Sequence, residues 1–327
     1  MAQYINGYSN PQMPPPFRFQ GVRIWNFPVR AQADVVQALV NKFLPPAAVQ
    51  KATGYSFKVL RGVGMFEDTT ILYMMVLDYS QMACVGSVPA SWGYLAQKEF
   101  YFGVPLVRSG GGEEEDIVLF TPYIFVDNSW SLICGNTVLG YPKQLAWFLM
   151  SPDSDNPYPI QITTSVFTHY SPATPQTWQR FVDIEAFHLF GTAPPNSQAL
   201  WPFGDIDSLY GPKGDLPLDE ETFNLFLGFK LKTKMSYDIV QLKQFRNAQS
   251  PDLASYQAIV TSTVELENFR FGDMLPPAVV NLTSYASLPL RQDLGLLPVS
   301  GPVIPAYPYW LECSFLLKNP IEQVLTD

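Results

Sequence analysis

Apolar residues along this chain recur at two different spacings, and the change from one to the other lays out the expected elements. Over residues 32–43, Val35, Val36, Leu39, Val40 and Phe43 fall at helical spacing, and Pro45-Pro46 ends the run. From Ile71 onward the pattern is mostly that of strands. Residues 71–77, 117–126, 160–167, 239–245 and 258–271 are rich in β-branched and aromatic side chains and are separated by Pro, Gly, Asn and Asp. In the last of these, Val260, Val264, Leu266 and Phe269 stand among polar residues in imperfect alternation, as in a half-buried strand with an irregularity. A second helix is expected over residues 176–190, where Trp178, Phe181, Val182 and Glu185 share one helical face. Thirty prolines suit a strand-rich framework with many turns better than a helical bundle. The first sixteen residues, rich in Asn, Gln and Pro, read as an arm that is disordered unless a partner orders it.

Composition narrows the class. Of 327 residues, 47% are hydrophobic and only 15% charged, ample for a large core and unlike a disordered chain. A net charge of -9 argues against nucleic acid or an acidic membrane surface as partner. No apolar run is long enough to span a bilayer as a helix. The N-terminus lacks a basic start followed by an apolar core, so a secretory signal is not expected. Cys84, Cys134 and Cys313 are widely spaced and sit in apolar runs, which reads as reduced core thiols in a cytoplasmic protein. No linker-like shift in composition divides the chain, so residues 17–327 are read as a single domain.

Few residue patterns carry chemistry. Only two histidines occur, His169 and His188, and neither HExxH nor G-x-S-x-G is present. No Cys-x-x-Cys pair suggests a metal. Asp153 with Asp155, and Asp205 with Asp207, resemble fragments of calcium loops without the remaining ligands and read as turn aspartates. No metal or cofactor is expected. The glycines of SGGGEEED, residues 109–116, are followed by acids rather than Gly-Lys-Ser/Thr, so they form no phosphate cradle and read as a hairpin tip or loop.

What stands out is Lys143 within DNSWSLICGNTVLGYPKQLA, residues 127–146. It is flanked by Leu139, Gly140, Tyr141 and Pro142 and by Leu145, Ala146, Trp147 and Phe148. A lysine removed from water loses the hydration that favours its ammonium form, which is how an amine becomes a nucleophile near neutral pH. The alternative is a lysine whose stem is buried while its head snorkels from a strand end.

The spacing DN-x6-G-x5-YPK-x-L resembles the signature of the acetoacetate decarboxylase family, in which an Asp-Asn pair leads through a strand to a Pro-Lys-Lys run. Asp127, Asn128, Gly135, Pro142 and Lys143 match without a gap. The likeness extends at lower specificity to FRFQGVRIWNFPVRAQADVVQALVNKFLPP near the N-terminus, QKEFYFGVPL in the middle, and FLGFKLK and PYWLECSFLL toward the C-terminus. It implies an α+β fold, mainly antiparallel β, with a barrel or cone of strands and peripheral helices. It implies Lys143 as the Schiff-base nucleophile, acting without a cofactor on a small keto acid, most economically by decarboxylation. It implies Glu99 and Asp78 as active-site acids, with a surface glutamate and a strand-end aspartate as the alternatives. For the substrate it implies Arg23 as the carboxylate-binding cation, with Arg30 as second candidate, because a guanidinium grips carboxylates in a bidentate fork. Tyr141 either lines the pocket or is a buried structural tyrosine, and Gln144 stands beside the nucleophile as a substrate-binding candidate. Relatives imply a homo-oligomer. Compared with shorter family members, insertions are expected near residues 109–116 and 193–218, the latter a lid, an oligomer contact or a long surface loop.

Two departures from the pattern matter. The family decarboxylases carry a second lysine directly after the nucleophile, acetoacetate decarboxylase being the known example of activation by a neighbouring cation. Gln144 stands there in this chain, and Asn136-Thr137 replace an Arg-Glu pair. Imine chemistry survives both changes, because desolvation alone can free an amine. Acetoacetate itself is weakened as the substrate. Aldol condensation with dehydration through the same lysine, an apolar ligand-binding barrel without catalysis, and a larger substrate in an aromatic cavity all remain open.

Overall fold

Strand β1 (Phe17–Gln32) and strand β3 (Thr69–Cys84) pair antiparallel along their whole length, from Phe17 opposite Cys84 to Gln32 opposite Thr69. Every residue from Leu72 to Leu77 of β3 is buried. Leu72, Met74 and Val76 enter one hydrophobic core, and Tyr73, Met75 and Leu77 enter another on the opposite face. A strand covered on both faces reads as a continuous apolar run, which is why this segment does not alternate in sequence. The coordinates are a computed structural model, which describes residues 12–62, 64–86, 93–151, 153, 156–187 and 236–325.

The remaining long strands are β4 (Leu95–Gly110), β5 (Glu113–Val126), β9 (Ser236–Arg246), β10 (Ala254–Met274) and β12 (Tyr309–Leu317). Pairing runs β3–β4–β5–β9–β10–β12–β1 and returns to β3, so these strands close into a cone-like ring. All its pairings are antiparallel except the short parallel contact of β5 with β9. Strand β2 (Tyr55–Val59) extends the sheet beside β4, and β13 (Ile321–Val324) pairs with β10. From β5 the sheet also leaves the ring through β6 (Lys143–Leu149), β7 (Ile160–Val166), β8 (Thr177–Ala186) and β11 (Ala278–Leu282). Helix α1 (Ala33–Phe43) lays Val36, Leu39 and Val40 on the outer core, and α2 (Pro46–Thr53) follows it.

The architecture is the mainly antiparallel α+β arrangement expected, with peripheral helices. The helix expected over 32–43 is α1, and the five expected strands are β3, β5, β7, β9 and β10, most of them longer than the apolar runs that announced them. The second helix is a correction: the described part of 176–190 is strand β8. Opposite it, Ile162 pairs with Val182 but Thr163 pairs with Arg180, so Phe181 is an extra residue in the ladder. That bulge shifts the apolar set by one position. Trp178, Phe181, Val182 and Glu185 thereby acquire a helical spacing while lying on a strand.

The segment 109–116 is the tip of the β4–β5 hairpin, and Gly110, Gly111 and Gly112 take positive φ there, which favours glycine. Residues 12–16, the described end of the N-terminal arm, pack on the chain's own core: Met13 is buried and the Pro16 carbonyl accepts from Val85 N at 2.8 Å. Residues 1–11 and the expected insertion at 193–218 lie outside the described residues.

Phe100 is the hub of the outer core, with ring centroids 5.2 Å from Phe102, 6.0 Å from Phe125 and 6.0 Å from Phe181. Phe100→Ala is expected to cost about 3–5 kcal/mol in urea unfolding, whereas Trp147→Ala, at a residue 59% exposed, is expected to cost less than about 1 kcal/mol.

Candidate active site

Strands β5 and β6 are parallel, with Ile124 opposite Lys143, so a hairpin cannot join them and the chain must cross over. Residues 127–142 are that crossover, and they contain the sequence motif. Asp127 ties its start to β4: its Oδ1 accepts from Lys98 N at 2.8 Å, beside Glu99. Burial pushes the Asp127 carboxyl above the usual carboxylate range, against the opposing effect of that hydrogen bond. Asn128 caps helix α3 (Ser129–Cys134), its Oδ1 accepting from Trp130 N at 3.0 Å and Ser131 N at 3.3 Å. The segment after the Asp-Asn pair is therefore helical, not the strand the family pattern implied.

The helix widens into a π turn over Gly135–Leu139 and stops at Gly140, which has φ of 73°. A side chain on Gly140 would stand 2.8–3.0 Å from Lys243. Asn136 then fixes the nucleophile candidate from both sides. Its Oδ1 accepts from Lys143 N at 2.8 Å and its Nδ2 donates to Lys143 O at 3.0 Å. Gly135 supplies the space: a Cβ there would lie 2.5 Å from Lys143 Cδ and 2.8 Å from Cε. The motif's glycine is thus the floor on which the lysine stem lies.

Thus held, Lys143 reaches into the ring. Its Nζ lies 2.7 Å from Glu99 Oε2 and donates to Ser131 Oγ at 2.9 Å. The two charged side chains are only 8% and 10% exposed. Glu99 also accepts from Tyr79 OH at 3.1 Å and from Gln97 Nε2 at 3.3 Å. The pair borders a cavity of about 70 Å³, and Tyr141 and Tyr101 border it as well. Burial, with the charge of Glu99 adding to it, holds the phenols of Tyr79, Tyr101, Tyr141 and Tyr237 well above their ordinary value, so they remain neutral donors. Burial likewise raises the Cys134 thiol, although Met13 N and Lys143 oppose it. Cys84 is pushed up to about 11 and Cys313 to about 12, so none of the three presents a thiolate at neutral pH. All three are buried and none forms a disulfide.

The structure brings Lys143, Glu99 and Tyr141 together at the cavity. Asp78, Arg23 and Gln144 are corrections. On β3, Leu77 and Tyr79 face the cavity, and Asp78 between them points out, to Lys98 at 3.6 Å. On β1, Ile24 faces in and Arg23 faces out, where it meets Glu312 at 3.2 Å. Gln144 follows Lys143 on a strand and so faces the other way, donating to Ser165 O at 2.7 Å. Arg30 is exposed and lies over the Phe66 ring. Sequence reasoning missed Ser131, Tyr79 and Gln97. For Ser131 the signal was Asn128, a cap three residues before it that announces a helix start; for Tyr79 and Gln97 it was their place two residues from Leu77 and Glu99 on paired strands. Among the described residues no cluster of three or more His, Cys, Asp or Glu could hold a metal, and no helix is long and apolar enough to cross a membrane.

No family model matches the chain, and no curated protein matches it by sequence. Solved structures do match. Acetoacetate decarboxylase from Legionella pneumophila aligns with a TM-score of 0.53 at 14% identity, over 100% of this chain and 98% of that one. A second acetoacetate decarboxylase structure aligns with a TM-score of 0.52 at 13% identity, over 99% of this chain and 96% of that one. The chain has the acetoacetate decarboxylase-like fold.

Removing one partner of a buried ion pair strands the other charge. Lys143→Met is expected to lose about 3–5 kcal/mol in urea unfolding, and adding Glu99→Gln to the same chain is expected to restore most of it. Simple addition of the two losses would show that the pair is not coupled in this way.

Proposed function

We propose that the protein is a Schiff-base-forming lyase that decarboxylates a small β-keto acid through Lys143. The observation that carries this reading is the geometry at one amine: Lys143 Nζ, buried, lies 2.7 Å from a carboxylate and 2.9 Å from a hydroxyl on the wall of a cavity. Glu99 takes a proton from the ammonium, and the freed amine attacks the ketone carbon. Glu99 returns that proton to the carbinolamine oxygen, with Ser131 donating to the same oxygen, and water leaves. The ketone and the ammonium have then become a protonated imine and water, with Glu99 ionised as before. The carbon–carbon bond to the carboxylate breaks, its electron pair moves into the imine, and carbon dioxide departs from the neutral enamine. A proton from solvent reaches the enamine carbon, and water releases the ketone and regenerates Lys143.

The charge in the cavity favours this route over aldol chemistry with the same lysine. An α-keto acid serving as aldol donor keeps its carboxylate through the whole cycle and needs a standing cation to hold it. Lys143 is the only cation among the described lining residues, and its charge is lost when the neutral enamine forms. A β-keto acid sheds its carboxylate, and an apolar surround speeds that loss because the charge is dispersed as the bond breaks. The same proposal carries a homo-oligomer, as the family resemblance implies, and a cytoplasmic setting, supported by three cysteines without a disulfide.

Release of carbon dioxide from 3-oxo acids, measured above the spontaneous rate, tests the proposal. Turnover is expected to vanish in Lys143→Met and to fall about 10²- to 10⁴-fold in Glu99→Gln. Undiminished release by Lys143→Met would overturn the role given to the lysine.

A further inference from the structure

Lys143 and Glu99 are the only charged side chains among the described residues that line the cavity, and each neutralises the other. The polar atoms around them are mostly committed within the protein. Tyr79 OH donates to Glu99, Tyr101 OH to Met75 Sδ at 2.9 Å, and Thr121 Oγ1 accepts from Gln241. The Tyr141 hydroxyl, directed toward Ser262, is buried without a hydrogen bond of normal geometry, and its ring lies 5.9 Å from Lys143 Nζ. Capacity for new polar contacts is therefore concentrated at the lysine end.

Away from that end the wall is apolar, and the strand register shows how it is laid out. Glu99 of β4 faces Leu77 of β3, Leu77 faces Ile24 of β1, and Phe19 of β1 faces Phe315 of β12. Phe19 stacks on Phe315 with centroids 4.3 Å apart, and Tyr79 tilts against Phe19 at 5.1 Å. Phe19, Tyr79 and Phe315 thus form one aromatic stretch of the cavity wall, which meets the ion pair at the Tyr79 hydroxyl. A polar group pressed against that wall would lose water without gaining a partner, whereas a methylene group gains by leaving water.

Building on the Schiff-base reading above, we propose that the substrate is a 3-oxo acid whose ketone carbon bears an alkyl chain or aryl ring larger than methyl. The chain seats against Phe19, Tyr79 and Phe315, the ketone meets Lys143, and the departing carboxylate is the only charged group the substrate brings. The product is the corresponding methyl ketone: one carbon–carbon bond breaks, carbon dioxide leaves, and one proton from solvent takes its place.

The experiment compares kcat/KM for acetoacetate, 3-oxohexanoate, 3-oxooctanoate and benzoylacetate by carbon dioxide release, on the full-length protein and with the spontaneous rate subtracted. Each methylene is expected to raise kcat/KM about fourfold, which corresponds to about 0.8 kcal/mol, so 3-oxohexanoate is expected to exceed acetoacetate by roughly tenfold or more. Phe315→Ala, or Phe315→Leu if the first variant does not fold, is expected to lower the ratio of kcat/KM for 3-oxooctanoate over acetoacetate. Acetoacetate turned over as well as or better than every longer acid would overturn the chain proposal and leave the Schiff-base reading standing. Turnover of none of the four acids would overturn both.

Discussion

An ammonium and a carboxylate buried together at a cavity whose other described lining residues are uncharged are the constraint around which this structure is arranged. Taking both ions out of water costs several kcal/mol each, and their contact recovers that only when the geometry is good and the remaining donors and acceptors are satisfied. Lys143 and Glu99 meet at 2.7 Å, and Ser131, Tyr79 and Gln97 complete the shell. An apolar pair of the same volume would serve folding at least as well in typical cases. Stability therefore gives no reason for the pair, and the imine chemistry proposed above gives one.

The crossover from β5 to β6 turns this constraint into local sequence. Asp127 anchors the segment to β4 next to Glu99, Asn128 starts the helix that presents Ser131, and Gly135 leaves room for the lysine stem. Asn136 clamps the Lys143 backbone, and Gly140 lets the turn pass against Lys243. Asp127, Asn128, Asn136 and Gly140 do not line the cavity. They place one amine against one carboxylate, and the polar part of the site reduces to four elements: β3, which supplies Tyr79, β4, the crossover and the first residue of β6.

Lys143 could be found in the sequence because a lysine among apolar neighbours is rare, and the motif spacing singled it out further. Glu99 followed from the resemblance alone. The errors came from strand parity. Residues 72–77 are apolar on both faces, so nothing in the run said that Asp78 would face outward. On β1 the irregularity at Gly21, between Phe19 and Val22, shifts the alternation and hides that Arg23 lies on the outer face. Gln144 was legible in principle, since adjacent residues on a strand face opposite ways. The bulge at Phe181 produced a false helix for the same kind of reason. Closure of the ring was not legible in the apolar pattern, because it depends on pairings between strands far apart in the chain, such as β1 with β12; the barrel or cone followed from the resemblance.

Reduction with borohydride tests the central claim most directly, because it captures the bond itself. The protein would be incubated with a 3-oxo acid, reduced, and examined by intact mass and peptide mapping. A single adduct with the mass of the decarboxylated ketone, located on Lys143 and absent from Lys143→Met, is the predicted result. No adduct, or adducts scattered over surface lysines and unchanged in that variant, would contradict the account.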